Sequence, residues 1–473
     1  MTELPIIDNE DYRDSIATVD KSGGRIWIYP KKPSGKFYNW RSYVSWILLA
    51  VLFGMPFIKV NGEPLLLFNV IERKFIIFSI IFTPQDLHLF ALAMLTLMVF
   101  IVLFTVVFGR LFCGWVCPQT IFMEMVFRKI EYWIEGDANQ QRKLNKAPWD
   151  SKKLFKKTLK HIIFFSIAVL IANTFLSYII GVDQVKQIIS EPISMHLSGF
   201  MAMIVFSALF YGVFAFFREQ VCIAVCPYGR LQGVLLVPNS IVVIYDWIRG
   251  EPRGKIKKSK TAEASQSQLG DCVDCGLCVK VCPTGIDIRN GTQLECVNCT
   301  ACIDACDEVM EKVGRPTGLI RYDSHTNIEK GNTKIFTPRV LAYTAFLAIL
   351  ILFQSFLFGT RSEIESLLLR TPGMLYQKVD DNTVSNLYNY QLVNKTNETI
   401  SNLEFKLVNK DGVIKIVGGK IPDVPKMEMI KGALFIEIDT DQLDARKNKL
   451  RLELYSNGEL IDNLKTNFLG PVK

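Results

Sequence analysis

"CVDCGLCVKVCP" (residues 272–283) decides how this chain is read. Its spacing, C-x2-C-x2-C-x3-C-P, is the run with which bacterial ferredoxins hold a [4Fe–4S] cluster. "CVNCTACIDAC" (296–306) repeats it, with thirteen residues between Cys282 and Cys296. Three thiolates in a tight loop grip one face of a cubane, so the fourth must come from a distance. In two-cluster ferredoxins each run lends its fourth cysteine to the other cluster. The pattern therefore predicts one cluster on Cys272, Cys275, Cys278 and Cys306, and another on Cys282, Cys296, Cys299 and Cys302. Zinc competes for paired CxxC motifs, but two four-cysteine runs at this spacing favour iron–sulfur. Asp307 stands where proline is usual, which bears only on turn shape, and Gly276, Thr300 and Ala301 leave room between ligands. No GxGxxG follows a strand and no P-loop is present. Single-electron relay is thus expected rather than hydride chemistry.

The chain around this block is oily. Of 473 residues 49% are hydrophobic and 21% charged, which fits neither an ordinary soluble protein nor a bare membrane bundle. Residues 87–109, 161–181, 195–217 and 340–359 hold no Lys, Arg, Asp or Glu. Each is about the 20 residues that cross a bilayer. A weaker fifth span, 43–60, contains Pro56 and ends near Lys59, with Trp40 and Trp46 placed as interface anchors. Residues 64–82 are broken by Glu72-Arg73-Lys74 and are expected to lie at the interface or re-enter rather than cross. The first 24 residues lack the basic start and apolar core of a secretory signal. Basic residues set the orientation. Eleven Lys and Arg lie in 110–160 and seven in the tail up to Arg41, against three in 59–86 and only Lys186 in 182–194. The tail, the 110–160 loop and 218–339 are therefore expected in the cytoplasm, and the last 114 residues outside, in a periplasm. That asymmetry accounts for the net charge of +8 without nucleic acid. "KIKKSK" (255–260) reads as a solvated linker.

All twelve cysteines fall in close-spaced groups, which argues for metal coordination over long-range disulfides. The remaining four form a duplicated motif. "RLFCGWVCPQT" (110–120) carries Cys113 and Cys117, and "REQVCIAVCPYGR" (218–230) carries Cys222 and Cys226, each pair ending in proline. His88 precedes Arg110 by 22 residues, as His196 precedes Arg218. Two parallel repeats would bring the four thiols together beside the ferredoxin block. Cysteines at i and i+4 of a helix are ~5–6 Å apart at Cβ, wider than the ~3.8 Å of a disulfide, so a disulfide within a motif needs the helix to break before proline. Soft thiolates favour Cu(I) or an iron–sulfur centre; inert buried thiols are the plainer alternative. His88 and His196, at matching depths, are candidates for copper, haem or a quinone head group, or are simple interfacial histidines. His161 and His325 read as structural.

From Arg361 the pattern alternates apolar and polar residues with Asn/Asp-Gly turns, at 387–396, 403–412, 432–439 and 449–461. Short strands at this spacing predict an immunoglobulin-like β-sandwich. It holds no Cys or His and is expected to dock or stabilise, not catalyse; sequons at Asn394 and Asn397 carry little weight. The whole reads as a polytopic α-helical membrane protein. It has a tail (1–41), a four-helix core (42–227), a linker (228–270), an inserted 2[4Fe–4S] ferredoxin-like domain (271–325), a fifth helix (340–359) and a periplasmic sandwich (361–473).

The combination resembles the FixG/CcoG membrane polyferredoxins, accessory proteins of cbb3-type cytochrome oxidase. The resemblance rests on "RIWIYP" (25–30), the two CxxxCP stretches, "YDWIRGEPRGK" (245–255), the eight-cysteine block, "GRPTGLIRYDS" (314–324) and the sandwich, nearly the whole chain. It implies a bacterial inner-membrane protein that reduces Cu(II) to Cu(I) for oxidase assembly, with Cys113, Cys117, Cys222 and Cys226 as the copper or redox site. It further implies a cytoplasmic electron donor, and a copper chaperone or oxidase assembly factors as partners. A quinol-linked electron-transfer subunit and a non-redox assembly scaffold are the alternatives.

Overall fold

The structure is a computed structural model. It describes residues 18–19, 22 and 24–471, except 61–62, 71–73, 79, 83–85, 256–268, 332–335, 361–363, 397 and 427. Residues 1–17 of the N-terminal tail, "KIKKSK" beyond Lys255, and Asn397 lie outside the described residues. Contacts divide the chain into two compact units. One draws on residues up to Ile58, Pro64–Arg73 and Phe90–Gln354, the other on Lys59–Glu63, Lys74–Leu89 and Ser355–Lys473.

Five helices are long and apolar enough to cross a membrane: Lys36–Phe57, His88–Phe108, Ser151–Ile180, Leu197–Phe217 and Pro338–Gly359. Their regular α-helical parts are α1 (Lys36–Gly54), α2 (Leu87–Phe108), α3 (Ser151–Ile180), α4 (Leu197–Gly212) and, after the ferredoxin block, α6 (Pro338–Gly359). The first begins at Lys36 rather than residue 43, and Lys59–Val60 is strand, so the expected span of 43–60 is displaced. Helix α3 starts well before residue 161 because Asp150 caps it, accepting from the Lys153 N–H at 2.7 Å. Its lysine-rich first turns therefore extend beyond the apolar stretch. Residues 64–82 hold short strands, Leu66–Asn69, Lys74–Ile77 and Ile80–Phe82, and no helix among the described residues. Glu72 and Arg73 lie outside the described residues, and Lys74 opens the second of these strands.

In the first unit, strand Val242–Tyr245 pairs antiparallel with Ile320–Asp323. Val243, Tyr245, Leu319 and Ile320 are 1–2% exposed in one core with Cys272, Cys278 and Met310. The stretch expected to be a linker therefore supplies a core strand of the ferredoxin block. That block holds a short helix, Leu277–Lys280, and α5 (Ala301–Lys312). Both follow the same backbone device. Asp274 and Asn298 have φ of 49° and 52°, and Gly276 and Thr300 have φ of 63° and 65°. Such left-handed steps turn consecutive N–H groups into one concavity.

The C-terminal unit packs two sheets. Strands Gly412–Ile416, Met429–Asp439, Thr383–Asn394 and Ile364–Arg370 lie in that order in one, with Gln377–Lys378 also pairing Thr383–Asn394. Leu403–Leu407, Lys447–Ser456 and Glu459–Leu469 form the other. Inward residues alternate with period two: Tyr388, Leu392, Leu434, Ile436, Leu450 and Leu454 are fully buried. Asn457 and Gly458 both take positive φ, 50° and 89°, the type I′ geometry of an Asn-Gly hairpin. Asp411-Gly412 makes no such turn; Gly412 opens a strand where a Cβ would meet Glu437 O at 2.5 Å.

Candidate functional site

The eight ferredoxin cysteines line two cavities. One, about 340 Å³ of empty space, is walled by Cys282, Cys296, Cys299 and Cys302 together with Val243, Ile286 and Ile288. The other, about 350 Å³, is walled by Cys272, Cys275, Cys278 and Cys306 with Tyr245, Met310 and Arg289. Cys278 also reaches the first cavity. All twelve cysteines are free thiols. Burial pushes the Cys278, Cys296 and Cys306 thiols up to about 12 and Cys299 to about 11. Such thiols stay neutral unless a metal takes the proton's place. Among the described residues no three His, Cys, Asp or Glu side chains converge tightly enough for a single ion. Two apolar cavities, each ringed by four thiols too widely set for one ion, fit a multi-iron cluster better than zinc.

The CxxxCP motifs share one construction. Cys117 (φ −60°, ψ 123°) and Cys226 (φ −71°, ψ 112°) are extended and precede the first residue of a new helix, Pro118 or Pro227. Proline disfavours the helical conformation for the residue before it, so the helix breaks at each second cysteine. π-helical turns flank the motifs at Ile121–Phe127 and Val213–Phe217, and a third, Val221–Val225, carries Cys222 itself. Such turns are frequent at functional sites. The repeat is closer in backbone than in side chains. Gly109 and Arg218, each four residues before its first cysteine, both have φ of 54°. The register thus follows the cysteines, pairing Gly109 with Arg218 rather than Arg110 with Arg218.

The structure brings the four thiols into one electrostatic neighbourhood. Burial pushes Cys113 up to about 11, with Cys117 and then Cys226 adding to it. Cys222 rises to about 12, from burial and then Cys117 and Cys113. Cys113 meets a polar group from the opposite repeat, its Sγ donating to Gln232 Oε1 at 3.5 Å. Cys113 and Cys222 pack on the buried cluster formed by Val281, Val297, Cys299, Ala301 and Ala305. A Cβ on Gly114 would lie 2.5 Å from Asn298 O and 2.6 Å from Val297 O, so glycine alone allows this approach to the ferredoxin loop. Trp115 Nε1 donates to Tyr322 Oη at 2.9 Å, which donates to Asn298 O at 3.1 Å.

Sequence reasoning missed the charges around this junction. Arg41 donates to Gly114 O at 2.6 Å and Cys299 O at 3.3 Å; Arg110 donates to Leu294 O, Gly229 O and, at 3.4 Å, Cys296 O. A buried network joins Arg218 to Glu131, Arg128 to Glu124 and Glu219, Arg25 to Glu219, and Lys157 and Lys160 to Glu135. Apart from Glu124 and Arg128, four residues apart, the partners are too distant in sequence for spacing to reveal them. His161 lies in an open groove with Trp149, Lys157, Thr158, Phe165 and Tyr211, whose hydroxyl is 2.9 Å from its Nδ1. The signal was present: polar residues at 157, 158 and 161 on one face of an apolar helix. His196 Nε2 lies 2.5 Å from Glu191 Oε2, and His88 belongs to the second compact unit. His325 packs against Trp247 with the rings tilted by 37° and their centroids 4.6 Å apart.

Five bilayer-length helices, a paired-cavity ferredoxin block and an immunoglobulin-like sandwich define a membrane-bound iron–sulfur protein. Residues 217–325 match the family described as "4Fe-4S dicluster domain", 90–136 "4Fe-4S binding domain", and 355–471 "IG-like fold at C-terminal of FixG". Protein RdxB of Cereibacter sphaeroides is 33% identical over 388 residues, 78% of this chain and 80% of that protein. The nitrogen fixation protein FixG of Rhizobium meliloti is 36% identical over 305 residues, 62% of this chain but only 56% of its own length. A solved FixG-related protein from Vibrio parahaemolyticus is matched over 97% of its chain and 23% of this one, at 20% identity and a TM-score of 0.19. The chain belongs to the FixG family of membrane polyferredoxins. The 90–136 match contains only Cys113 and Cys117 of the twelve cysteines.

Proposed function

We propose that this protein carries single electrons from a cytoplasmic donor to the Cys113/Cys117/Cys222/Cys226 site, where Cu(II) is reduced and kept as Cu(I) for assembly of a cbb3-type oxidase. The ferredoxin block faces the cytoplasm of a bacterial inner membrane and the sandwich the periplasm, as the basic loops support. Cys272, Cys275, Cys278 and Cys306 hold one [4Fe–4S] cluster, and Cys282, Cys296, Cys299 and Cys302 the other. When bound, such clusters supply one-electron transfer. The observation that carries the reading is the packing of Cys113 and Cys222 on the wall that contains Cys299. Cu(II) gains one electron; thiols that bind it lose their protons, and soft thiolates prefer the Cu(I) formed. Cu(I) then passes to a copper chaperone or assembly factor. Gln232 holds the first cysteine of the first motif, Cys113. The test is Cu(II) reduction by the full-length protein in detergent, with Cys113→Ser and Cys222→Ser. Loss of the rate with iron content retained is expected; an unchanged rate refutes the role.

A second reading, quinol-linked electron transfer to a respiratory partner, is favoured by the groove at His161 and Tyr211. There the imidazole and phenol would take the protons of a quinol and the groove's Ile162 and Phe165 its ring. Quinol oxidation that fails in His161→Ala while Cu(II) reduction persists would separate the two.

A further inference from the structure

We infer that Arg41 and Arg110 set the direction of electron flow through the ferredoxin block, by making the 282/296/299/302 site the easier of the two to reduce. The inference rests on the reading above that both cysteine sets hold [4Fe–4S] clusters.

The two guanidinium groups are 3% and 4% exposed. Arg41 donates only to the carbonyls of Gly114 and Cys299, and Arg110 only to those of Leu294, Gly229 and Cys296. Arg41 Nη2 and Arg110 Nε are buried with no acceptor, and neither side chain has an ion pair among the described residues. Glu124, the carboxylate felt at Cys299, is already paired with Arg128 at 3.3 Å. A buried cation without a counter-charge is strongly unfavourable. Two of them beside one four-thiolate cavity are explained if that cavity carries the missing negative charge. Four thiolates around a [4Fe–4S]²⁺ core sum to −2, and to −3 after one electron is added. Attraction to fixed cations therefore strengthens on reduction, which raises the potential.

The other site is the reverse case. Its cation, Arg289, is committed to Asp287 at 2.7 Å and Asp274 at 2.6 Å, and Asp307 follows the ligand Cys306. Asp287, Asp274 and Asp307 outnumber Arg289 and oppose an added electron, although the more exposed Asp274 is screened, and Asp271 beside Cys272 is paired with Arg249 at 2.5 Å. Exposure runs the same way: Cys275 is at the surface, where a donor docks, while Cys299 is buried against Cys113 and Cys222. An electron entering at the surface thus moves to the arginine-flanked site and arrives beside the CxxxCP thiols.

The test is a potentiometric titration of the full-length protein in detergent, followed by EPR of the reduced clusters. Two midpoints are expected. Arg41→Gln and Arg110→Gln each lower the upper one, shifting the electron's partition between the sites at least tenfold, or 59 mV for one electron. Arg41→Lys and Arg110→Lys retain it, and Asp307→Asn raises the lower one. A single shared midpoint overturns the inference, as does an upper midpoint unmoved by the glutamine variants. If those variants do not accumulate, Asp307→Asn decides: a rise of the upper midpoint, or of neither, also overturns it. Absence of iron and of any EPR signal from the unaltered protein would instead remove the cluster reading itself.

Discussion

Arg218 grips Glu131 with both Nη atoms, 2.9 and 2.8 Å from the two carboxylate oxygens, and both side chains are at most 5% exposed. The pair holds Arg218 in a left-handed conformation, φ 54°, that costs a non-glycine residue about 1–3 kcal/mol. It also fixes the residue from which the second CxxxCP motif starts. Burial works to raise the Glu131 pKa, but Arg218, Lys160 and Arg128 outweigh it and hold the carboxyl below its ordinary value. Glu131→Gln would strand these cations, and breaking a buried pair costs about 3–5 kcal/mol. Thermal unfolding in detergent should show a large fall in midpoint for Glu131→Gln. Because the folded pKa is depressed, the pairing contributes fully above the unfolded value of 4.5 and is lost as pH falls through the folded one. The variant and the parent should therefore converge in stability below that pH.

Asp304, on α5, accepts the N–H groups of Phe37 at 3.0 Å and Tyr38 at 2.8 Å, capping α1 from 266 residues away. Gly35 permits this: a Cβ there would lie 2.4 Å from Asp304 Cγ. Asp304→Ala should cost about 1–2 kcal/mol, the loss of a helix cap. Limited proteolysis should then cut near residues 30–36 faster, while iron content stays unchanged. Equal cutting rates would show that the cap does not anchor this helix.

The thiol site should bind Cu(I) more tightly as pH rises. Its thiols are pushed up, Cys113 to about 11 and Cys222 to about 12, mainly by burial. Binding must release a proton from each thiol used. Apparent affinity should grow about tenfold per pH unit for each cysteine engaged, from pH 6 upward. Competition with a Cu(I) chelator across pH 6–9 measures the slope, which counts the thiols. A flat profile would mean that the copper ligands lie elsewhere.

The grouping of the ferredoxin cysteines was legible because a cubane constrains spacing within a dozen residues, and each cavity is lined by the four cysteines that the spacing groups together. The sandwich was legible because its inward positions keep period two from Tyr388 to Leu392 and from Leu450 to Leu454. The strand at Val242–Tyr245 was not, since four apolar residues in a row carry no period and its partner begins at Ile320. Arg41, Arg110 and the Glu131 network escaped for a related reason: an isolated charge near a span reads as a flank residue until the fold supplies a partner. The left-handed step at Thr300 is likewise invisible, because a β-branched residue adopts it only when tertiary contacts enforce it.

Gly114 offers the sharpest test of the route from the ferredoxin block to the thiols. It sits against two backbone carbonyls, Asn298 O and Val297 O, which cannot swing aside as a side chain would. Gly114→Ala must therefore separate the Cys113 helix from the loop carrying Cys296 and Cys299. Neither cysteine set is altered, so iron content should match the parent. Electron transfer across the junction should slow, because transfer falls steeply with distance, and Cu(II) reduction should drop several-fold with it. Gly229→Ala is the matched control within the other repeat. Its Cβ would press on Cys222 O at 2.6 Å, inside the motif rather than across the junction. It should disturb copper affinity while leaving transfer from the ferredoxin block intact. Stopped-flow reoxidation of the dithionite-reduced protein by Cu(II) distinguishes the two. If Gly114→Ala reoxidises as fast as the parent, electrons do not leave by way of Cys299 and Cys113.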